Sequence, residues 1–141
     1  MPKAETNVEH EIMKTIVADN GFVIKNQASP TTGKGRPDLT ACIKGKYMAI
    51  EVKKNAKTAA TNISQFKKML AIANAGGIAL YVSDSDDFKH TYKKLLSEPD
   101  LTKAYAIPLE NPNTFIAQLN RCIHAHTIVQ VLNSGKFICH T

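Results

Sequence analysis

Tryptophan is absent from this 141-residue chain, and four tyrosines and five phenylalanines bring the aromatic share to only 6%. So few rings argue against bases stacking on an aromatic platform as a binding mode. Cysteine is equally sparse. Cys42, Cys122 and Cys139 are an odd number, and two of them lie in apolar surroundings. That excludes a disulfide framework and predicts free thiols in a reducing, cytoplasmic compartment. No run approaches the ~18 apolar residues that a membrane span needs. No charged start followed by an apolar stretch suggests a signal peptide. No linker composition and no internal repeat divides the chain, and its length fits one domain with a modest core.

Acid is missing from one region in particular. Between Lys34 and Lys68 the basic residues are Lys34, Arg36, Lys44, Lys46, Lys53, Lys54, Lys57, Lys67 and Lys68, against Asp38 and Glu51 alone. The chain as a whole carries a net charge of +6. A positive field around two isolated carboxylates suits a polyanion that must approach bound cations. Lys34, Arg36, Lys54 and Lys57, which flank the two acids, are the expected nucleic-acid contacts. A lysine-rich solvated surface is the plainer alternative, and charge alone does not displace it.

Asp38 and Glu51 lie in two apolar runs, Asp38 to Ile43 and Tyr47 to Lys53, joined by a tight turn at Gly45. The pattern predicts a β-hairpin. Alternation puts Leu39, Ala41 and Ile43 on one face of the first strand, with Asp38, Thr40 and Cys42 on the other. In the second strand Glu51 and Lys53 share a face with Ala49. A hairpin can thus gather Asp38, Glu51 and Lys53 on one side.

Around this hairpin the periodicities predict further elements. Thr6 to Asn20 reads as a helix, with a Thr6–Glu9 capping box and an Asn20-Gly21 stop. Its apolar arc holds Val8, Ile12, Met13, Ile16 and Val17. Glu9 falls inside that arc and Glu11 outside it, so Glu9 should face the protein. Phe22 to Lys25 reads as a strand and Asn26 to Arg36 as a cationic loop. Asn55 to Asn62 is a loop or helix lead-in. Ile63 to Asn74 is helical and stops at Gly76-Gly77. Ile78 to Val82 is a strand buried on both faces. Ser83 to Ser97 is a helix with Ser85 as its cap. Ala104 to Leu109 suggests an edge strand, Asn113 to Val131 a helix, and Phe137 to Cys139 a closing strand. The order predicts a mixed α/β domain with a small central sheet flanked by helices. A core over 1–98 is followed by a C-terminal helical and strand extension over 99–141, packed on the same domain.

Two carboxylates, with a third from a neighbouring helix, can hold Mg²⁺ or Mn²⁺ through oxygen ligands. Such a cation polarises a phosphodiester and lowers the pKa of a bound water. Lys53 can stabilise the developing negative charge or orient the attacking water. The Val52 carbonyl, between Glu51 and Lys53, offers one more hard ligand. Charged groups inside apolar strands are costly unless something pairs with them, which weakens a surface-pair explanation of Glu51 and Lys53.

Gly35-Arg36-Pro37-Asp38-Leu39, then Gly45, Ile50-Glu51-Val52-Lys53, Gln65 and Gly76-Gly77, resembles the PD-(D/E)xK nuclease superfamily in its small VRR-NUC branch. The ordered set is more specific than any single piece, and it spans roughly residues 5 to 90. The resemblance implies a restriction-endonuclease-like core. It implies metal ligation by Asp38, Glu51 and the Val52 carbonyl, with Glu9 completing the acid cluster. Lys53 would be the catalytic lysine, and Gln65 would stand near the site from the following helix. It further implies a Mg²⁺- or Mn²⁺-dependent endonuclease acting on DNA, on structured or branched duplex, as a homodimer with no organic cofactor. Small proteins of this type occur in phage and mobile elements. The alternatives are a non-catalytic nucleic-acid-binding module, and a sequence-specific nuclease of restriction or homing type. Cys122, His124, His126, Cys139 and His140 invite a zinc site, but their spacing is not that of structural zinc, so incidental core and surface positions are expected.

Overall fold

The computed structural model describes residues 5–26, 37–53, 63–106 and 112–140. Helix α1 (Glu5–Ala18) includes Thr6 among its helical residues. Val8, Ile12 and Ile16, spaced by four, are buried; Val17 lies at the rim of the arc and is 58% exposed. The helix ends as its Asn20-Gly21 pair predicts. Asn20 takes φ 63°, its amide bonds the Val17 carbonyl, and the Gly21 amide bonds that of Ile16.

Three antiparallel strands follow: β1 (Phe22–Lys25), β2 (Leu39–Ile43) and β3 (Lys46–Val52). The β2–β3 hairpin turns on two residues, Lys44 at φ 51° and Gly45 at φ 78°. Positive φ at both positions matches the strand twist, and Gly45 meets it without a Cβ penalty. Helix α2 (Ile63–Asn74) then crosses over to β4 (Ile78–Val82), which runs parallel to β3. Helix α3 (Ser85–Leu95) is capped by Asp84, whose carboxylate accepts the Asp86 amide, and not by Ser85. The Asp84 carboxylate reaches the second amide beyond it, whereas Ser85 is already helical.

The C-terminal third departs most from expectation. The helix expected over Asn113 to Val131 ends early, as α4 (Pro112–Ala125), and Ile128–Val131 forms a strand, β6. β6 pairs antiparallel with β4, Val129 beside Tyr81 and Val131 beside Ala79. Strand β5 (Tyr105–Ala106) and strand β7 (Lys136–His140) complete a seven-stranded sheet of order β1-β2-β3-β4-β6-β7-β5. Ile128, Val129 and Val131 are β-branched, which suits a pleated surface, and β4 offers the run a ladder. The remainder of the expected strand 104–109 lies outside the described residues.

Two apolar layers flank the sheet. On one face α1 and α3 bury Val8, Ile12, Ile16, Phe88 and Leu95 against Leu39, Ile50, Leu80 and Val82. On the other, α2 and α4 bury Phe66, Met69, Leu119 and Ile123 against Ala49, Tyr81, Val129 and Val131. Among the described residues no helix is long and apolar enough to cross a membrane.

Candidate metal and phosphate site

Pro37 decides where the β2–β3 ladder stops. Leu39 is opposite Ile50, so the register continued two steps sets Pro37 opposite Val52. Proline has no N–H to donate there. The Val52 amide instead donates to Asp38 Oδ2 at 2.9 Å, and the Pro37 carbonyl accepts Asn26 Nδ2 at 2.8 Å. Asn26 Nδ2 also reaches Thr40 Oγ1 at 2.8 Å, and the Asn26 amide donates to the Asp38 carbonyl. The end of β1 therefore clamps the bend at Pro37-Asp38. In a strand the carbonyl and amide of one residue leave on the same side, so the Val52 carbonyl faces Asp38 too.

One step in from Val52, the register sets Glu51 beside Asp38, and Tyr81 of β4 flanks Glu51 on its other side. Glu51 is buried, and its Oε2 has no hydrogen-bond partner. Burial raises its pKa, and the charge of Asp38 and a hydrogen bond to that side chain raise it further, up to about 9; Lys53 pulls the other way. Lys53 follows on the same face. It is buried, and its amide is tied to the Val82 carbonyl at 2.8 Å. Gln65, buried in the first turns of α2, belongs to the helix that covers this face. The group stands at the carboxyl ends of the parallel pair β3 and β4, where open α/β sheets bind ligands.

Glu9 is buried while Glu11 is exposed, but Glu9 does not join the pair. Helix α1 packs on the opposite face of the sheet, and Glu9 Oε2 binds Lys25 Nζ at 2.9 Å. That hydrogen bond raises the Lys25 pKa, the charge of Glu9 raises it further, and Asp38 adds to it. Lys25 thus carries an ion pair to Glu9 and also feels the charge of Asp38. Among the described residues no three His, Cys, Asp or Glu side chains gather as a metal-holding group. The basic contacts expected at Lys34, Arg36, Lys54 and Lys57 lie outside the described residues.

Three residues near the site were missed from sequence. Lys25 closes a strand whose partner begins next to Asp38, so hairpin alternation carried one strand further would have found it. Asn26 gave no signal beyond its place at a strand end. Tyr81 is a lone hydroxyl in an apolar run, and the parallel register alone puts it beside Glu51.

The donor set fits a hard divalent cation. Two carboxylates and a main-chain carbonyl are oxygen ligands that leave positions open for water. A buried carboxylate oxygen without a partner, beside a second carboxylate, is a pair that positive charge would stabilise.

No family model and no curated protein matches this chain. Among solved structures, one described as "VRR_NUC domain" aligns with a TM-score of 0.53 at 21% identity, over 63% of this chain and 94% of that one. The likeness is one of fold: a mixed α/β sheet flanked by helices, built like that VRR_NUC domain over about three-fifths of the chain.

Proposed function

We propose that the chain is a metal-dependent endonuclease that hydrolyses phosphodiester bonds in DNA, with structured or branched duplex as its substrate. The observation that carries this reading is the Asp38–Glu51 pair, with a buried, unpartnered Oε2, beside Lys53 on a VRR_NUC-like fold. Asp38, Glu51 and the Val52 carbonyl would hold Mg²⁺ or Mn²⁺. When bound, the cation supplies Lewis acidity toward the phosphate and a more acidic water. Lys53 holds its ammonium on the carboxylate face, where it counters charge that builds on the phosphate oxygens or orients the attacking water. Gln65 stands as a polar neighbour on α2. Glu9 acts at one remove, by holding Lys25 against the field of Asp38. Lys34, Arg36, Lys54 and Lys57 add positive charge on either side of the site in sequence and favour a polyanion.

Plasmid and branched DNA, incubated with Mg²⁺ or Mn²⁺, should be cut by the wild-type protein and left intact by Glu51→Ala and Lys53→Ala. Cleavage that survives in either variant removes the site assignment. Binding without turnover in every divalent metal would favour a non-catalytic binding module. Cutting both strands of a duplex calls for two such sites, so the active species is proposed to be a homodimer. A monomeric mass by light scattering at working concentration would count against that.

A further inference from the structure

Helix α2 covers the carboxylate face only in part. It packs over β4 and β6, and Phe66 and Met69 pack in one cluster with Tyr81 of β4 and Ala49 of β3. Over β1, β2 and the start of β3 the same face exposes apolar side chains. Phe22 is 67% exposed, Ile24 49% and Tyr47 47%. The pairing sets these residues in rows. Asp38 lies beside Glu51; the next row runs Ile24, Thr40, Ala49; the one after it runs Phe22, Cys42, Tyr47. At ~3.4 Å per residue the second row lies about 7 Å along the strands from the Asp38–Glu51 row and the third about 14 Å. The apolar surface is therefore the direct continuation of the acid pair. The Tyr47 ring is also held in place. A Cβ at Gly77 would come within 3.2 Å of Tyr47 Cδ1, so the ring packs close against the glycine that precedes β4.

We propose that unpaired nucleotides next to the scissile phosphate bind on this platform, their bases stacked on Phe22 and Tyr47, with Ile24 on the side of Phe22 nearer the acids. The proposal rests on the nuclease reading and names the strand form that the site accepts. Composition argued against stacking because rings are few; the fold places two of them, exposed, on the one face that carries the carboxylates. Charge favours nucleic acid over a second copy of the chain as the occupant. A net charge of +6, with nine basic residues against two acids between Lys34 and Lys68, attracts a polyanion and repels a like surface. Stacking on a side chain needs a base with a free face. Strand ends, flaps and junctions provide one, and an intact duplex does not.

The test is fluorescence anisotropy in Ca²⁺ with two labelled DNAs of equal duplex length, one blunt and one carrying a single-stranded arm. Phe22→Ala with Tyr47→Ala should cut the preference for the armed DNA about tenfold. The ring-keeping pair Phe22→Tyr with Tyr47→Phe should retain it, which separates stacking from a folding defect. An unchanged preference in the alanine pair overturns the proposal. So does a fall in molar mass by sedimentation with arm binding intact, which would make the face a contact between copies. Loss of arm preference in a protein whose wild type cuts no DNA would sink the nuclease reading and leave the platform standing. Cleavage with undiminished arm preference would do the reverse.

Discussion

Glu51 and Lys53 are two residues apart on one strand face, yet their chemistry separates cleanly by experiment. Glu51→Gln keeps the shape of the side chain but removes the charge a cation needs. Calorimetric titration with Mn²⁺ should show binding lost in that variant and retained in Lys53→Ala, while cleavage falls in both. For Lys53→Ala the expected loss in rate is about 10²- to 10³-fold, the scale of removing one preorganised charge partner. Equal metal binding in wild type and Glu51→Gln would place the cation elsewhere. A second buried titratable group lies far from this chemistry. His140 Nε2 is 3.0 Å from Gln130 Oε1. Burial lowers its pKa, and Lys94 and Lys103 lower it further, while Glu98 and Asp100 line the adjoining cavity. A histidine held neutral in the fold stabilises fully above its unfolded pKa of ~6.5 and loses that contribution as pH falls through the lowered folded value. Melting temperatures between pH 8 and pH 5 should therefore fall more steeply for wild type than for His140→Gln. Parallel slopes would show that His140 does not contribute to acid sensitivity.

The elements owe their ends to a few residues. Gly76 takes φ 96° and lets its own amide reach the Ala73 carbonyl and that of Gly77 reach Ile72, closing α2. A Cβ there meets nothing within 4 Å, so Gly76→Ala isolates backbone strain from steric clash. It should cost about 1 kcal/mol in urea unfolding. Asp84→Ala, which removes the cap of α3, should cost about the same. A change under a few tenths of a kcal/mol in either variant would show that the end is held by packing instead. At this scale much was legible. Gly76-Gly77, Asn20-Gly21 and Gly45 mark their stops because positive φ is a local demand that few residues meet. The α3 cap fell one residue from its expected place because Asp84 and Ser85 are both good caps and only backbone direction separates them. Of the acids, Asp38 and Glu51 were legible as neighbours because the strand period is two. The position of Glu9 was legible as a facing, and its partner was not, because Lys25 lies on an element whose placement no helical arc reports.

Across the whole molecule, the C-terminal strands are part of the sheet that positions the site. β6 covers the edge of β4 along Ala79, Leu80, Tyr81 and Val82, and Leu119, Ile123 and Phe137 complete the apolar layer under α2. A chain ended at residue 98 would leave β4, buried at all five positions, with an open edge and half a layer. Such a fragment should show no cooperative thermal transition. A dispersed amide spectrum and a sharp melt from residues 1–98 would mean that the core stands without its extension.

What the sequence determined by itself is the hairpin: which side chains share a face, where the turn falls, and that Asp38, Glu51 and Lys53 lie on one side of it. These follow from period-two alternation and turn residues, which act over a few positions. Tertiary structure alone decided that Ile128–Val131 is a strand, that Glu9 binds Lys25, and that Phe22 and Tyr47 are exposed on the face that carries the acids. An apolar β-branched run fits a helix stripe or a buried strand equally well until β4, more than forty residues away, supplies the ladder. Exposure and ion pairing likewise depend on which helix covers which face, and that is set by the packing of the whole chain.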